Sequence, residues 1–298
     1  VNLSNEYEKM SSKWFQISYF VVVFIGCKAI FNTVAEDKSC LCTVESEFSK
    51  AFGQRPVDAV SGSQFMQQTG NLDFAERQAA ALQEIFAGNV PESLRIPAIL
   101  SLINDQGDTL LIPVTKDYMA IGSDEDFVRM PLSFPSAKAI GNQFNVFIPT
   151  PTLVDAIYDQ ASLQLKPQPM HPGEEMRSNA YYLRHNFLIN EQAGIHRFPH
   201  LLVAGHKKDV VISIRLLRQH GKVPIYGWHL RSGDPIQPLS LVHGESYEDY
   251  SHGMRLIGSL GCLNGRPVGV EELFSDPTWE ASLSAESGLN PKILLGSH

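Results

Sequence analysis

The period of the apolar positions changes along the chain, and those changes predict its elements. From Ile17 to Gly26 the sequence is almost continuously apolar, with Met10 and Lys13 ahead of it. A basic flank and an apolar core too short for the roughly 20 residues of a membrane span read as a secretory signal or N-terminal anchor over 1–35. Residues 1–9 then form an upstream extension. Three fates are open: cleavage near Ala35, lipid attachment at Cys27 in "FIGC", or retention as an anchor. Each places the folded part outside the cytoplasm. Residues 36–72 are polar and turn-rich and are expected to be a linker, with a helical turn near 44–52.

A single globular domain is expected over 73–298. In "NLDFAERQAAALQEIFAGNVP", Ala75, Ala79, Leu82 and Phe86 recur at helical spacing, and Phe74, Ala81 and Ile85 widen the stripe. Asp73 caps its start, Gly88 stops it and Pro91 lies beyond. The period then shortens. "IPAILSLINDQGDTLLIPV" reads as a hairpin turning at Asn104–Asp108, and "YMAIGSDEDFVRMPLS" as strand, turn and strand. Helical spacing returns in "FPSAKAIGNQF", in "TPTLVDAIYDQASLQL" with Pro151 at a helix start, and in "NAYYLRHNFLINEQAG". The proline-rich stretch 165–178 is a long loop and the weakest internal boundary. Beyond it, "HLLVAGH", "DVVISIRLL" and "KVPIYGWHL" are short strand-like runs, "GMRLIGSLGCLNGRPVGV" is a hairpin tipped by Asn264-Gly265, and short helices close the chain. The pattern predicts an α+β fold, an antiparallel or mixed sheet with helices packed on one side, an N-terminal helical segment and a strand-rich C-terminal third.

Composition adds exclusions. A formal net charge of -8 without a basic stripe argues against nucleic acid as a partner. Any membrane contact is expected only through the N-terminal segment. Cys40, Cys42 and Cys262 cannot all pair within one chain. Cys40 and Cys42 are too close to pair without strain, so a bridge from one of them to Cys262 remains.

The candidate chemistry lies in 206–252. His206, His229, His243 and His252 each end an apolar run or adjoin a turn-former ("VAGH", "YGWHL", "LVHGE", "YSHGM"). A strand end holds a backbone still while its side chain enters a cleft. One scheme is a zinc site of His206, Asp209 and His229, with His243 or His252 as base and Asp249 or Glu245 orienting the ring. It requires Lys207 and Lys208 to lie in a turn, since an offset of three on a strand separates His206 from Asp209. A second scheme has no metal. His252 is the acid or base, Asp249 or Tyr250 tunes it, and Lys207, Lys208 and Tyr247 bind an acidic substrate. HExxH, Walker A and GxGxxG motifs are absent, and "HGE" at 243–245 lacks the P-C-x-x-C of deaminases. The expected function is a secreted or envelope-associated hydrolase acting on a cell-envelope or extracellular polymer. Its rivals are a metal-free hydrolase or lyase on an acidic polymer and a non-enzymatic envelope binding protein.

Overall fold

The computed structural model describes residues 38–194 and 200–295. The signal-or-anchor segment 1–35, with Cys27, lies outside them. The fold is α+β, with a mixed sheet system and a strand-rich C-terminal region. The segment 36–72 differs from the linker reading. Helix α1 (38–51) buries Cys40, Val44 and Phe48 at a spacing of four, and Phe52 follows them into the core. A second helix, Gly62–Gln68, closed by a Ser61–Gln64 capping box, buries Phe65 and Met66. The many polar residues between these positions hide a regular apolar face. One hydrophobic cluster runs from Phe48 to Leu295, across the loop at 165–178.

Helix α2 (Phe74–Phe86) forms with Asp73 as N-cap, but its buried face is rotated from the alanine stripe. Arg77, Gln78, Ala81 and Ile85 point inward, while Ala75, Ala79 and Phe86 are exposed. Arg77 and Gln78 are tolerated inside because they are bonded. Arg77 donates to the Arg177 carbonyl at 2.8 Å, and Gln78 meets the Pro131 carbonyl, the Ser133 amide and the Ser136 hydroxyl.

The larger sheet contains β1 (Ala98–Ile103), β2 (Thr109–Val114), β3 (Val146–Phe147), β8 (Ile257–Gly258), β9 (Leu260–Leu263) and β10 (Arg266–Gly269), in the order β10-β9-β2-β8-β3 with β1 also on β2. The two hairpins form at the expected turns. Asn264 and Gly265 both adopt positive φ, 47° and 81°, as a tight two-residue turn requires. Helices α3 (Phe134–Phe144), α4 (Pro151–Gln160) and α5 (Asn179–Ala193) start at side-chain caps Ser133, Thr150 and Ser178.

The smaller sheet bears the candidate chemistry. It contains β4 (Lys208–Val210), β5 (Ile225–His229), β6 (Pro235–Ser240) and β7 (His252–Gly253), in the order β6-β5-β4-β7, with β7 parallel to β4.

Cys40 and Cys262 form a disulfide between α1 and β9, and Cys42 is a free, exposed thiol. The bridge fits an oxidising setting outside the cytoplasm. Among the described residues no helix is long and apolar enough to cross a membrane.

Candidate acid–base site

The register of the small sheet decides which residues meet. His252 lies beside Lys208, and Gly253 beside Asp209. Neighbours in register share a face and successive residues alternate. His252 and Lys208 therefore project from one face, and Asp209 from the other.

Strand β5 breaks that alternation. Gly227 and Trp228 have φ of 101° and 58°. A tryptophan at positive φ is a strained backbone, held here by its surroundings. The irregularity turns His229 onto the face of Tyr226 and Asp209. His229 Nε2 donates to Asp155 Oδ1 at 2.9 Å, and the Tyr226 hydroxyl donates to Asp155 Oδ2 at 3.1 Å. Trp228 falls on the other face, with the Lys208 ammonium 4.9 Å from its ring centre. His206 solves its offset differently. Residues 205–207 bend before β4 begins, so the His206 ring packs edge-on against Tyr118 at 4.9 Å, while the Tyr118 hydroxyl donates to Asp209 Oδ2 at 2.7 Å.

On the Asp209 face lies a closely packed crevice, without free space for a water molecule, lined by Tyr118, Tyr158, Gly205, Asp209, His229 and Arg255 among others. Tyr158 stacks on His229 at 4.4 Å. A Cβ on Gly227 would stand 3.3 Å from His229 Cε1 and 3.5 Å from Asp209 Oδ2, in the space between the two groups. Burial pushes the Asp209 carboxyl up to about 6, against the pull of Arg255 and the Tyr118 bond. Its Oδ1 is buried without a hydrogen-bond partner, and Arg255 Nε stands 4.0 Å away. Asp155 is half-exposed and holds the outer side of His229.

The tight wall behind Tyr118 gives a direct test of the crevice. A Cβ on Gly253 would lie 2.5 Å from a Tyr118 ring carbon. Tyr118 is pinned by Asp209 and by Arg255, whose guanidinium carbon lies 4.6 Å from the ring centre. Gly253→Ala is expected to cost about 1–3 kcal/mol by overpacking, measured by urea denaturation. An unchanged midpoint would mean that Tyr118 can move freely.

The opposite face carries the second cluster. His252 is buried, 3.9 Å from Asp249 Oδ2, and both its nitrogens lack hydrogen-bond partners. Burial lowers it to about 4, against the pull of Asp249, so it is neutral at pH 7. Burial alone would raise Asp249, but His252 and bonds from Ser251 hold it below the usual carboxylate range. The Tyr247 hydroxyl donates to Asp249 at 3.0 Å, and Tyr247 stacks on half-buried His243 at 3.9 Å. Two of the expected participants are committed elsewhere. The Lys207 ammonium is buried and donates to the Tyr250 carbonyl, and burial pulls it down to about 7. The Tyr250 hydroxyl bonds the Met170 backbone, pinning the loop at 165–178.

The strand-end histidines thus do not share one cleft. Three of them each take a separate aspartate: His206 with Asp117 at 3.1 Å, His229 with Asp155, and His252 with Asp249. Among the described residues no group of three or more His, Cys, Asp or Glu is placed to hold a metal ion, so the set His206, Asp209 and His229 is not assembled as zinc ligands. Asp117, Tyr118, Asp155, Tyr158 and Arg255 carried no weight in the sequence reading. Two signals were available: the polar run 115–118 directly after strand β2, and Asp155 with Tyr158 at i and i+3 on helix α4. Compared with known proteins, the chain matches no family model, no curated protein and no solved structure, so its chemistry is read from its own residues.

Proposed function

We propose that this protein is an acid–base hydrolase working outside the cytoplasm, with Asp209 as general acid and His229 as general base. The observation that carries this reading is the buried Asp209 carboxyl, half of it unpartnered, lining the same small crevice as His229. A carboxyl raised to about 6 keeps its proton in mildly acid conditions, where an ordinary carboxyl has lost it, and can donate it there to a leaving group. Asp155 accepts a hydrogen bond from the Nε2–H of His229, which leaves Nδ1 as the nitrogen that accepts a proton from water. Tyr118 orients Asp209, and Tyr158 holds the imidazole plane.

The metal-free scheme is favoured over zinc because His206, His229 and His252 are each matched to a separate carboxylate. The substrate proposed is an envelope or extracellular polymer, the class of molecule that an enzyme outside the cytoplasm meets. The test is release of end groups from cell-wall and extracellular polysaccharide and peptide fractions, with His229→Gln and Asp155→Asn compared with the native chain. His229→Gln is expected to lower kcat about 100-fold or more, and Asp155→Asn about 10-fold or more, with unchanged circular dichroism. Full activity in a folded His229→Gln variant would overturn the proposal.

A further inference from the structure

Strand β5 delivers His229 by losing one step of its alternation. Across β4 and β5, Lys208 pairs with Gly227 and Asp209 with Tyr226. Regular alternation would put Trp228 on the Asp209 face and His229 on the Lys208 face. The positive φ angles at Gly227 and Trp228 exchange the two. Gly227 adopts this conformation at little cost, because it has no Cβ, and a Cβ there would crowd His229 Cε1. Trp228 does not. A bulky side chain at positive φ is strained, and the buried indole N–H has no hydrogen-bond partner among the described residues. The kink does bring the indole against the Lys208 ammonium, 4.9 Å from the ring centre. Lys208 is itself held in place: its amide donates to the Ser251 carbonyl at 2.7 Å, and it lies in register with His252. An ammonium over an indole face and the strain of one residue at positive φ are of similar size, so the pair offsets the cost of the kink.

We infer that Lys208 is a positioning residue for His229: its ammonium holds the Trp228 ring on the far face of the smaller sheet, and that contact keeps His229 turned toward Asp155 and Asp209. Lys208 lines no part of the crevice and acts on it through the backbone of two residues. The same ammonium faces Asp249 and His252 on its own side of the sheet, so it is shared between the two clusters. The consequence for turnover rests on the role proposed for His229; the consequence for the position of the ring does not.

Nitrogen NMR of the His229 ring in the full chain tests the inference. The bond from Nε2 to Asp155 is expected to give a predominant Nε2–H tautomer with slow proton exchange in the native chain. Lys208→Met removes the ammonium and keeps the stem, and Trp228→Leu removes the indole. Each is expected to speed exchange of the Nε2 proton about fivefold or more, and Lys208→Arg to restore the native rate. Adding Lys208→Met to Trp228→Leu is expected to change little further, since both remove one contact. In the proposed reaction, Lys208→Met is expected to lower kcat by a similar factor at unchanged KM, again restored by Lys208→Arg. Native exchange in Lys208→Met would overturn the inference. So would a full further effect of Lys208→Met on top of Trp228→Leu, which would route the ammonium's influence through Asp249 and His252 instead. Full activity in His229→Gln would remove the proposed function and leave the exchange results to decide this inference alone. One reading needs no variant: the indole ring current is expected to move the Lys208 ε-methylene protons upfield, and ordinary positions for them in the native chain would also overturn it.

Discussion

Asp209→Asn is expected to abolish turnover and, above pH 6, to leave the protein more stable than the native chain. Both effects come from one buried carboxyl. Burial raises it to about 6 in the folded state, against about 4 in an unfolded chain. Between these values the folded protein holds a proton that the unfolded chain has lost. Its stability therefore falls as pH rises from about 4 through 6, and the full loss, on the order of 2–3 kcal/mol, is present above that window. An asparagine has no proton to lose. Its carbonyl still accepts from the Tyr118 hydroxyl, while its amide replaces the unpartnered Oδ1 near Arg255. That amide faces a guanidinium, which offsets part of the gain at every pH. Urea denaturation at pH 4 and pH 8 is expected to show Asp209→Asn gaining about 2 kcal/mol at pH 8 relative to its difference from the native chain at pH 4, since the pH-independent offset cancels in that comparison. The same variant is expected to lose at least about 100-fold in kcat, since an amide cannot donate a proton to a leaving group. A difference from the native chain that is the same at both pH values would show that Asp209 does not ionise in this window.

The elements were more legible in the sequence than the site was. Helices α2 to α5 and the two hairpins follow from local signals, caps at Asp73, Thr150 and Ser178 and the Asn264-Gly265 turn, which act over a few residues. The rotated face of α2 was not legible, because Arg77 and Gln78 are held inside by Pro131, Ser133 and Arg177, all distant in sequence. For the candidate site, the sequence located the smaller sheet and the strand-end placement of its histidines. It did not reveal that β4 and β7 run parallel, which puts His252 and Asp209 on opposite faces. Nor did it reveal the positive φ at Trp228 that turns His229 toward Asp209. The carboxylates facing His206 and His229 come from 117 and 155, and long-range pairing of this kind leaves no periodic trace.

Replacing Cys40 and Cys262 together with alanine is expected to cost about 2–5 kcal/mol and to release α1 first. The two cysteines are 222 residues apart, so their bridge removes a large part of the unfolded chain's freedom. They also pack with Val44 in a small apolar cluster of their own, flanked by Leu41, Leu111 and Leu260. Without the bridge, α1 is held to the main core by Phe48 and, beyond its end, by Phe52. Partial release is therefore expected before global unfolding, with a drop in Tm of about 5–15 °C by calorimetry and early loss of hydrogen-exchange protection over 38–51. Reductant is expected to reproduce the shift in the native chain and to leave the double variant unaffected. Iodoacetamide on the folded, unreduced protein is expected to label exposed Cys42 and spare Cys40 and Cys262. Labelling of Cys40 and Cys262 without reductant would show that the bridge does not form. The support that the bridge gives to an oxidising compartment, and with it the extracytoplasmic part of the proposed function, would then be lost, while the acid–base proposal for Asp209 and His229 would stand on its own geometry.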